Sequence, residues 1–172
     1  LLAANIRSEF VITGTMDEYY GSLQIVPSAA NLIGTASSPF ALSLDNLELN
    51  AASLLPHQSK LASITKGTIS NYNKDGYGNV SFTLTRPDGQ TIPFRWDSRV
   101  ENLPANAVNM LNELENGQTI DIENAILGWH NNPQLLPSQT MFVRYVELTT
   151  EDKLEMVGEE LINQFEGKSF NM

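Results

Sequence analysis

A chain of 172 residues with 41% hydrophobic and 17% charged side chains suits one ordinary domain or two small ones and is too apolar to be disordered. The absence of cysteine excludes disulfides, thiolate metal sites and cysteine nucleophiles, and no apolar run approaches the roughly 18 residues needed to cross a bilayer. The formal net charge of −10, with only ten basic residues and no basic stripe, argues against an anionic membrane and makes nucleic acid an unlikely partner, because nucleic-acid affinity rests mainly on neutralised phosphates.

The acidity is spread along the chain: five acids against two bases over residues 1–60, nine against six over 61–147, and six against two over 148–172. It opens on Leu1-Leu2 and ends on Asn171-Met172, which reads as a piece of something longer.

A repeat organises the first element. Shifted by 110 residues, the segment from Ile12 to Ser28 falls on that from Ile122 to Ser138 without a gap, with Ile12, Gln24, Pro27 and Ser28 matching Ile122, Gln134, Pro137 and Ser138. Tyr19 meets Trp129, and Gly21 meets Asn131. Each copy reads as strand, tight turn, strand, with Gly21-Ser22 and Asn131-Asn132 supplying the positive φ that short hairpins require. An isolated hairpin is marginal in water, so residues 1–35 are expected to pack on the rest of the chain or on another chain, a possible dimer contact.

Residues 36–60 are small and polar and read as a linker with short turns, although Leu42, Leu44, Leu47 and Leu49 leave room for a further strand or helical turn. Residues 61–72 carry β-branched side chains at strand spacing, and a Gly/Asn-rich turn follows over 73–79. Val80, Phe82 and Leu84 alternate with Ser81, Thr83 and Thr85, which is the pattern of a half-buried strand. Pro87-Asp88-Gly89 turns the chain, and Ile92, Phe94 and Trp96 line one face of a third strand. A helix is expected over about 103–115, with Pro104 in its first turn and an apolar stripe of Leu103, Ala107, Met110, Leu111 and Leu114. Two strands of the repeated hairpin follow, about 118–128 and 134–146. Residues 149–166 read as an amphipathic helix with Leu154, Val157, Leu161 and Phe165 on one face.

The order over residues 61–147 is β-β-β-α-β-β. With its helix between strands three and four, it resembles the OB-fold, a five-stranded Greek-key barrel. The expected architecture is mainly β with one or two helices: an OB-like barrel, an N-terminal β-hairpin at 1–35 and a C-terminal helix within 148–172. The strings Gly128-Trp129-His130-Asn131-Asn132-Pro133-Gln134-Leu135 and Tyr19-Tyr20-Gly21-Ser22-Leu23-Gln24-Ile25 are similar to the Gly-aromatic turns of tandem OB-like modules in bacterial secreted and cell-surface proteins. That resemblance implies an extracellular or surface-anchored accessory module beside a nuclease or adhesion domain. It implies a non-catalytic role, binding a glycan, a protein or a neighbouring domain, or serving as a spacer. A single-stranded nucleic-acid-binding accessory module of an extracellular nuclease is the alternative, and a hydrolase fragment using His130 a third.

Signatures of chemistry are sparse. No G-x-S-x-G, H-E-x-x-H, G-x-G-x-x-G or P-loop string occurs, and no cofactor or catalytic residue is implied. The loop from Asn71 to Asn79 resembles the front of a calcium loop, but Phe82 stands where the bidentate Glu belongs, so no metal is assigned. His57 and His130 are the only histidines, and both read as loop residues. Asp88, Asp97, Glu101, Glu113 and Glu115 read as ordinary surface acids. In OB-folds ligands lie across strands two and three, aided by the loops between strands one and two and between four and five. The ligand face expected on that basis gathers Tyr72, Tyr77, Arg86, Arg95, Trp129, His130 and Asn131, while Phe82, Phe94 and Trp96 are expected to point into the core.

Overall fold

Alternation of apolar and polar residues decides most of this molecule, and the computed structural model describes it over residues 8–35, 41–99 and 103–147. In chain order these form β1 (Ser8–Tyr19), β2 (Ser22–Thr35), β3 (Leu42–Ser43), a helical turn α1 (Ala51–Leu54) running into a 3-10 turn (Leu55–His57), and β4 (Leu61–Lys74). Then follow β5 (Val80–Thr85), β6 (Thr91–Trp96), α2 (Ala105–Glu113), β7 (Thr119–His130), β8 (Asn132–Leu136) and β9 (Phe142–Tyr145). The expected C-terminal helix at 149–166 lies outside the described residues.

Five strands close a barrel. β4 pairs antiparallel with β5, β5 with β6, β6 runs parallel to β8, β8 pairs antiparallel with β7, and β7 returns to β4. Every edge among these five is therefore paired. This is the OB-like barrel that the β-β-β-α-β-β order implies, with β3 and β9 added at its margins. The inward residues of each strand fill it: Ile64 and Ile69 from β4, Val80, Phe82 and Leu84 from β5, Ile92, Phe94 and Trp96 from β6, and Ile120, Ile122 and Leu127 from β7. Phe82 and Phe94 stack almost parallel at 4.6 Å between ring centroids. Helix α2 packs Ala107 and Leu111 against this core, and Pro104 stands at its N-cap, one position before the first turn.

One strand must serve two partners. β4 pairs with β7 through Leu61–Thr68 and with β5 through Thr68–Lys74. It coils around the barrel by bending at Lys66 and Asn71, both at positive φ (51° and 54°). The buried carboxylate of Asp121 holds the first bend, accepting the Lys66 backbone N–H at 2.8 Å and the Arg144 Nε–H at 2.8 Å.

Two elements differ from the sequence reading. The last strand, expected as one piece over 134–146, is broken into β8 and β9. Pro137 has no N–H for a ladder, and Ser138 builds a turn by accepting the Thr140 N–H and donating to the Asn124 carbonyl. β9 then pairs with the first part of β7, so β7 carries two short strands along one edge. The segment 41–60, expected as a linker, contributes Leu44 and Leu54 to the core, and β3 lies parallel to β4. Arg86 is what fastens it. Only 5% exposed, its guanidinium donates to the carbonyls of Leu44 and Leu47 and pairs with Asp88.

The Arg86 hydrogen bonds, against some desolvation, hold the Asp88 carboxyl below the usual carboxylate range. A depressed folded pKa contributes stability above the unfolded value of about 3.9, lost as pH falls through the folded value. Asp88 is 44% exposed, so solvent screening keeps this share below about 1 kcal/mol. Between pH 5 and pH 2 the wild-type urea midpoint should fall further than that of Asp88→Asn. Parallel curves for the two proteins would remove Asp88 from the acid transition.

Candidate functional site

The outward residues of three adjoining strands form a groove on the barrel wall. β6 alternates Ile92, Phe94 and Trp96 inward with Thr91, Pro93 and Arg95 outward, so the pattern that builds the core also places Arg95 on the surface. β8 lies beside β6 with Phe94 opposite Leu135, which brings Gln134 and Leu136 next to Arg95. Ile126 and Leu136 form an apolar floor. A side chain at Gly128 would collide with Leu136, so the glycine is what allows Leu136 to lie flat there. Arg95, Asp97 and Pro137 stand at one end, and Tyr19 and His130 at the other, around a volume of about 570 Å³. Sites for small ligands commonly occupy 300–1,000 Å³.

Tyr19 reaches this groove because the tips of the two hairpins meet. The first hairpin turns at Tyr20-Gly21, with φ of 50° and 78°, one residue earlier than the sequence reading placed it. Positive φ at both central residues matches the twist of the flanking strands. The Tyr20 carbonyl accepts the Asn131 N–H at 2.6 Å, and the Gly21 carbonyl accepts from Gln58 Nε2 at 3.2 Å. A Cβ on Gly21 would lie 2.9 Å from the Trp129 indole, so no larger residue fits between the tips. The rings of Tyr20 and His130 lie 4.5 Å apart, and Tyr19 packs edge-on against Tyr20 at 4.5 Å. An aromatic cluster thus borders the groove at the turn between barrel strands four and five.

The opposite end is held by hydrogen bonds. Arg99 donates to Asp97 through Nε at 2.9 Å and Nη2 at 2.5 Å, and these bonds hold the Asp97 carboxyl well below the usual range. The Ser98 hydroxyl donates to the Tyr77 carbonyl at 2.8 Å, tying the loop between barrel strands one and two to the end of β6. Within that loop the Asp75 carboxylate accepts the N–H groups of Tyr77 and Asn79 and the Asn79 side-chain amide. Partial desolvation raises its pKa, but these hydrogen bonds outweigh that and leave it below the usual range. Of the oxygens that resembled a calcium loop, those of Asp75 are engaged in the loop's own turn and that of Asn79 accepts from Ser98. No group of three or more His, Asp or Glu side chains converges among the described residues.

The seven residues expected at a ligand face therefore separate. Arg95 and His130 line the groove. Tyr77, 87% exposed, stands on the loop tied to its Asp97 end. Trp129 packs partly against the core beneath Gly21, and Asn131 (φ 60°) makes the turn that docks on Tyr20. Tyr72 lies elsewhere: its hydroxyl donates to the Leu111 carbonyl at 2.9 Å, and burial pushes its phenol pKa up. Arg86 lies elsewhere too, committed to Leu44, Leu47 and Asp88. Tyr19, Asp97, Ile126, Gln134, Leu136 and Pro137 join the groove unforeseen. The only sequence signal for any of them was the alignment of Tyr19 with Trp129 and of Gln24 and Pro27 with Gln134 and Pro137.

The closed five-strand barrel with its helix between strands three and four is that of an OB-type domain. No protein-family model matches the chain, and no curated protein matches it. Solved structures do. The OB domain of a Methanosarcina mazei protein is 14% identical, covering 55% of this chain and 80% of that one, with a TM-score of 0.41. Pot1pC of Schizosaccharomyces pombe bound to ssDNA is 9% identical, covering 73% of this chain and 99% of that one, with a TM-score of 0.46. A replication protein A heterotrimer bound to ssDNA is 16% identical, covering 60% and 75%, with a TM-score of 0.34. At these identities the likeness is one of fold. The expectation that nucleic acid is an unlikely partner is corrected here, since two of these three structures hold single-stranded DNA. That expectation rested on the charge of the whole chain, whereas a ligand meets the local charge of the wall it lies on, and this groove is lined by one base and one acid, Arg95 and Asp97.

Proposed function

We propose that this chain is a non-catalytic binding module that takes single-stranded nucleic acid in the groove beside β6 and β8. One observation carries the reading. A guanidinium on strand three (Arg95), two rings at the four–five turn (Tyr19 and His130) and an apolar floor from strands four and five (Ile126 and Leu136) converge in one groove. It shares strand three and the four–five turn with the face on which OB barrels receive oligomeric ligands, and strand two takes no part in it. Rings offer a stacking surface to any base, and Arg95 offers a phosphate partner. With so few cations at hand, affinity rests on stacking more than on phosphate neutralisation. The salt dependence is correspondingly shallow, about −0.7 in log K per log salt for each phosphate engaged.

The test is fluorescence anisotropy of a labelled ten-nucleotide oligothymidine with the full chain at low and moderate salt. Tyr19→Ala and His130→Ala are each expected to weaken binding by about 1–3 kcal/mol, roughly 5- to 150-fold. Arg95→Ala should lower affinity and flatten the salt slope by about 0.7. Absence of binding at about 100 µM protein, or binding indifferent to all three substitutions, would sink the proposal.

A further inference from the structure

The β1–β2 hairpin has a sidedness that its contacts with the barrel leave unused. Residues directly opposite each other in an antiparallel pair share a face. Phe10 pairs with Leu32, Ile12 with Ala30, Gly14 with Pro27, Met16 with Ile25, and Glu18 with Leu23. Among these five pairs Glu18, at the tip, is the one polar residue. The opposite face carries Thr13, Thr15, Asp17, Gln24 and Asn31 among Val11 and Val26. The two register shifts place their extra residues, Ser28 and Ile33, on β2, so β1 keeps its alternation over its whole length. This is the pattern of a ribbon with one side buried, yet Ile12, Met16, Leu23, Ile25 and Leu32 are 46–65% exposed. Among the described residues, the hydrogen bonds that fasten the hairpin to the barrel lie at its tip, at Tyr20 and Gly21.

We propose that a second copy of this chain covers that face, two hairpins packing apolar side to apolar side about a two-fold axis, with their tips at opposite ends. Charge selects this arrangement. The hairpin's described residues include three acids, Glu9, Asp17 and Glu18, and no base. Tips side by side would set the two Glu18 carboxylates against each other. The antiparallel two-fold instead separates them by most of the ribbon and places each beside the Phe10–Leu32 end of the other copy. Area is sufficient. A ribbon roughly 40 Å long and, with two strands about 4.8 Å apart and about 5 Å of side chain beyond each edge, about 15 Å wide offers on the order of 600 Å² per copy, and about 1,200 Å² in the pair reaches the lower bound of specific interfaces. Association in the micromolar range is the consequence. The inference is independent of the ligand read for the groove.

Sedimentation equilibrium of the full chain tests it without any oligonucleotide. Wild type is expected to reach twice the 19.0 kDa chain mass as its concentration rises to about 200 µM. Ile12→Glu with Ile25→Glu should stay at the single-chain mass, Met16→Lys should shift the equilibrium the same way, and Thr15→Lys on the polar face should dimerise like wild type. Emission from Trp96 in the barrel core serves to verify folding of each variant. A wild type that remains monomeric throughout overturns the proposal, as expected if another segment of the chain or a different protein covers the face. A dimer that persists in the folded Ile12/Ile25 double variant overturns it as well.

Discussion

Arg86→Met should cost about 1–3 kcal/mol of stability while leaving the side-chain volume nearly unchanged. The methionine fills the space but donates nothing, so the carbonyls of Leu44 and Leu47 lose the hydrogen bonds they now receive from Arg86. A buried acceptor left without a partner costs about 1–3 kcal/mol, and here the Leu47 carbonyl loses its donor while the Leu44 carbonyl keeps the Leu47 N–H at 3.2 Å. Asp88 adds little, because it is 44% exposed and water replaces the guanidinium. The loss is partly contained: the Leu49 N–H still donates to Gln90 Oε1 at 2.7 Å, and Leu44 and Leu54 keep their apolar seats. Urea unfolding followed by tryptophan emission measures the difference. A loss under about 1 kcal/mol would mean that apolar packing alone fastens residues 41–57 to the barrel. Proteolysis within that segment, faster in Arg86→Met than in wild type at equal temperature, would locate the loosening.

The same arginine shows what a sequence can and cannot reveal. β5 and β6 are legible because one side of each is buried, and a period of two then writes itself into Val80, Phe82, Leu84 and into Ile92, Phe94, Trp96. The role of Arg86 is not legible, because its acceptors are backbone carbonyls about 40 residues earlier in the chain. Leu42 and Leu44, and Leu47 and Leu49, each keep a strand's spacing of two, but the step of three between the pairs breaks it, and only Leu42–Ser43 pairs as a strand, in a strap whose register is set from outside. The break after Leu136 was within reach of a closer reading of Pro137-Ser138. The groove was half legible: Arg95 follows from the alternation of β6 and His130 from its place at a hairpin turn. Tyr19 arrives from more than a hundred residues away through contact between two turns, Tyr20-Gly21 and Asn131, and spacing along the chain does not encode that contact.

Phe94→Ala should have a larger effect than Arg86→Met, because it acts on stability and on the groove together. The ring is 1% exposed and stacks on Phe82 at 4.6 Å, so its removal leaves a cavity walled by rigid strands, at a cost of about 3–5 kcal/mol. For a chain of this size that lowers the melting temperature by roughly 6–20 °C. Phe94 is also the residue that meets Leu135 where β6 runs parallel to β8, the seam that closes the barrel. Arg95 is carried on one side of that seam, Gln134 and Leu136 on the other. Oligothymidine affinity should therefore fall in Phe94→Ala well below its melting temperature, although Phe94 itself faces away from the groove. Phe94→Leu refills much of the volume and should recover most of both losses. If Phe94→Ala melts early yet binds as wild type does while folded, the seam is held by its backbone pairing, and the groove does not depend on the core beneath it.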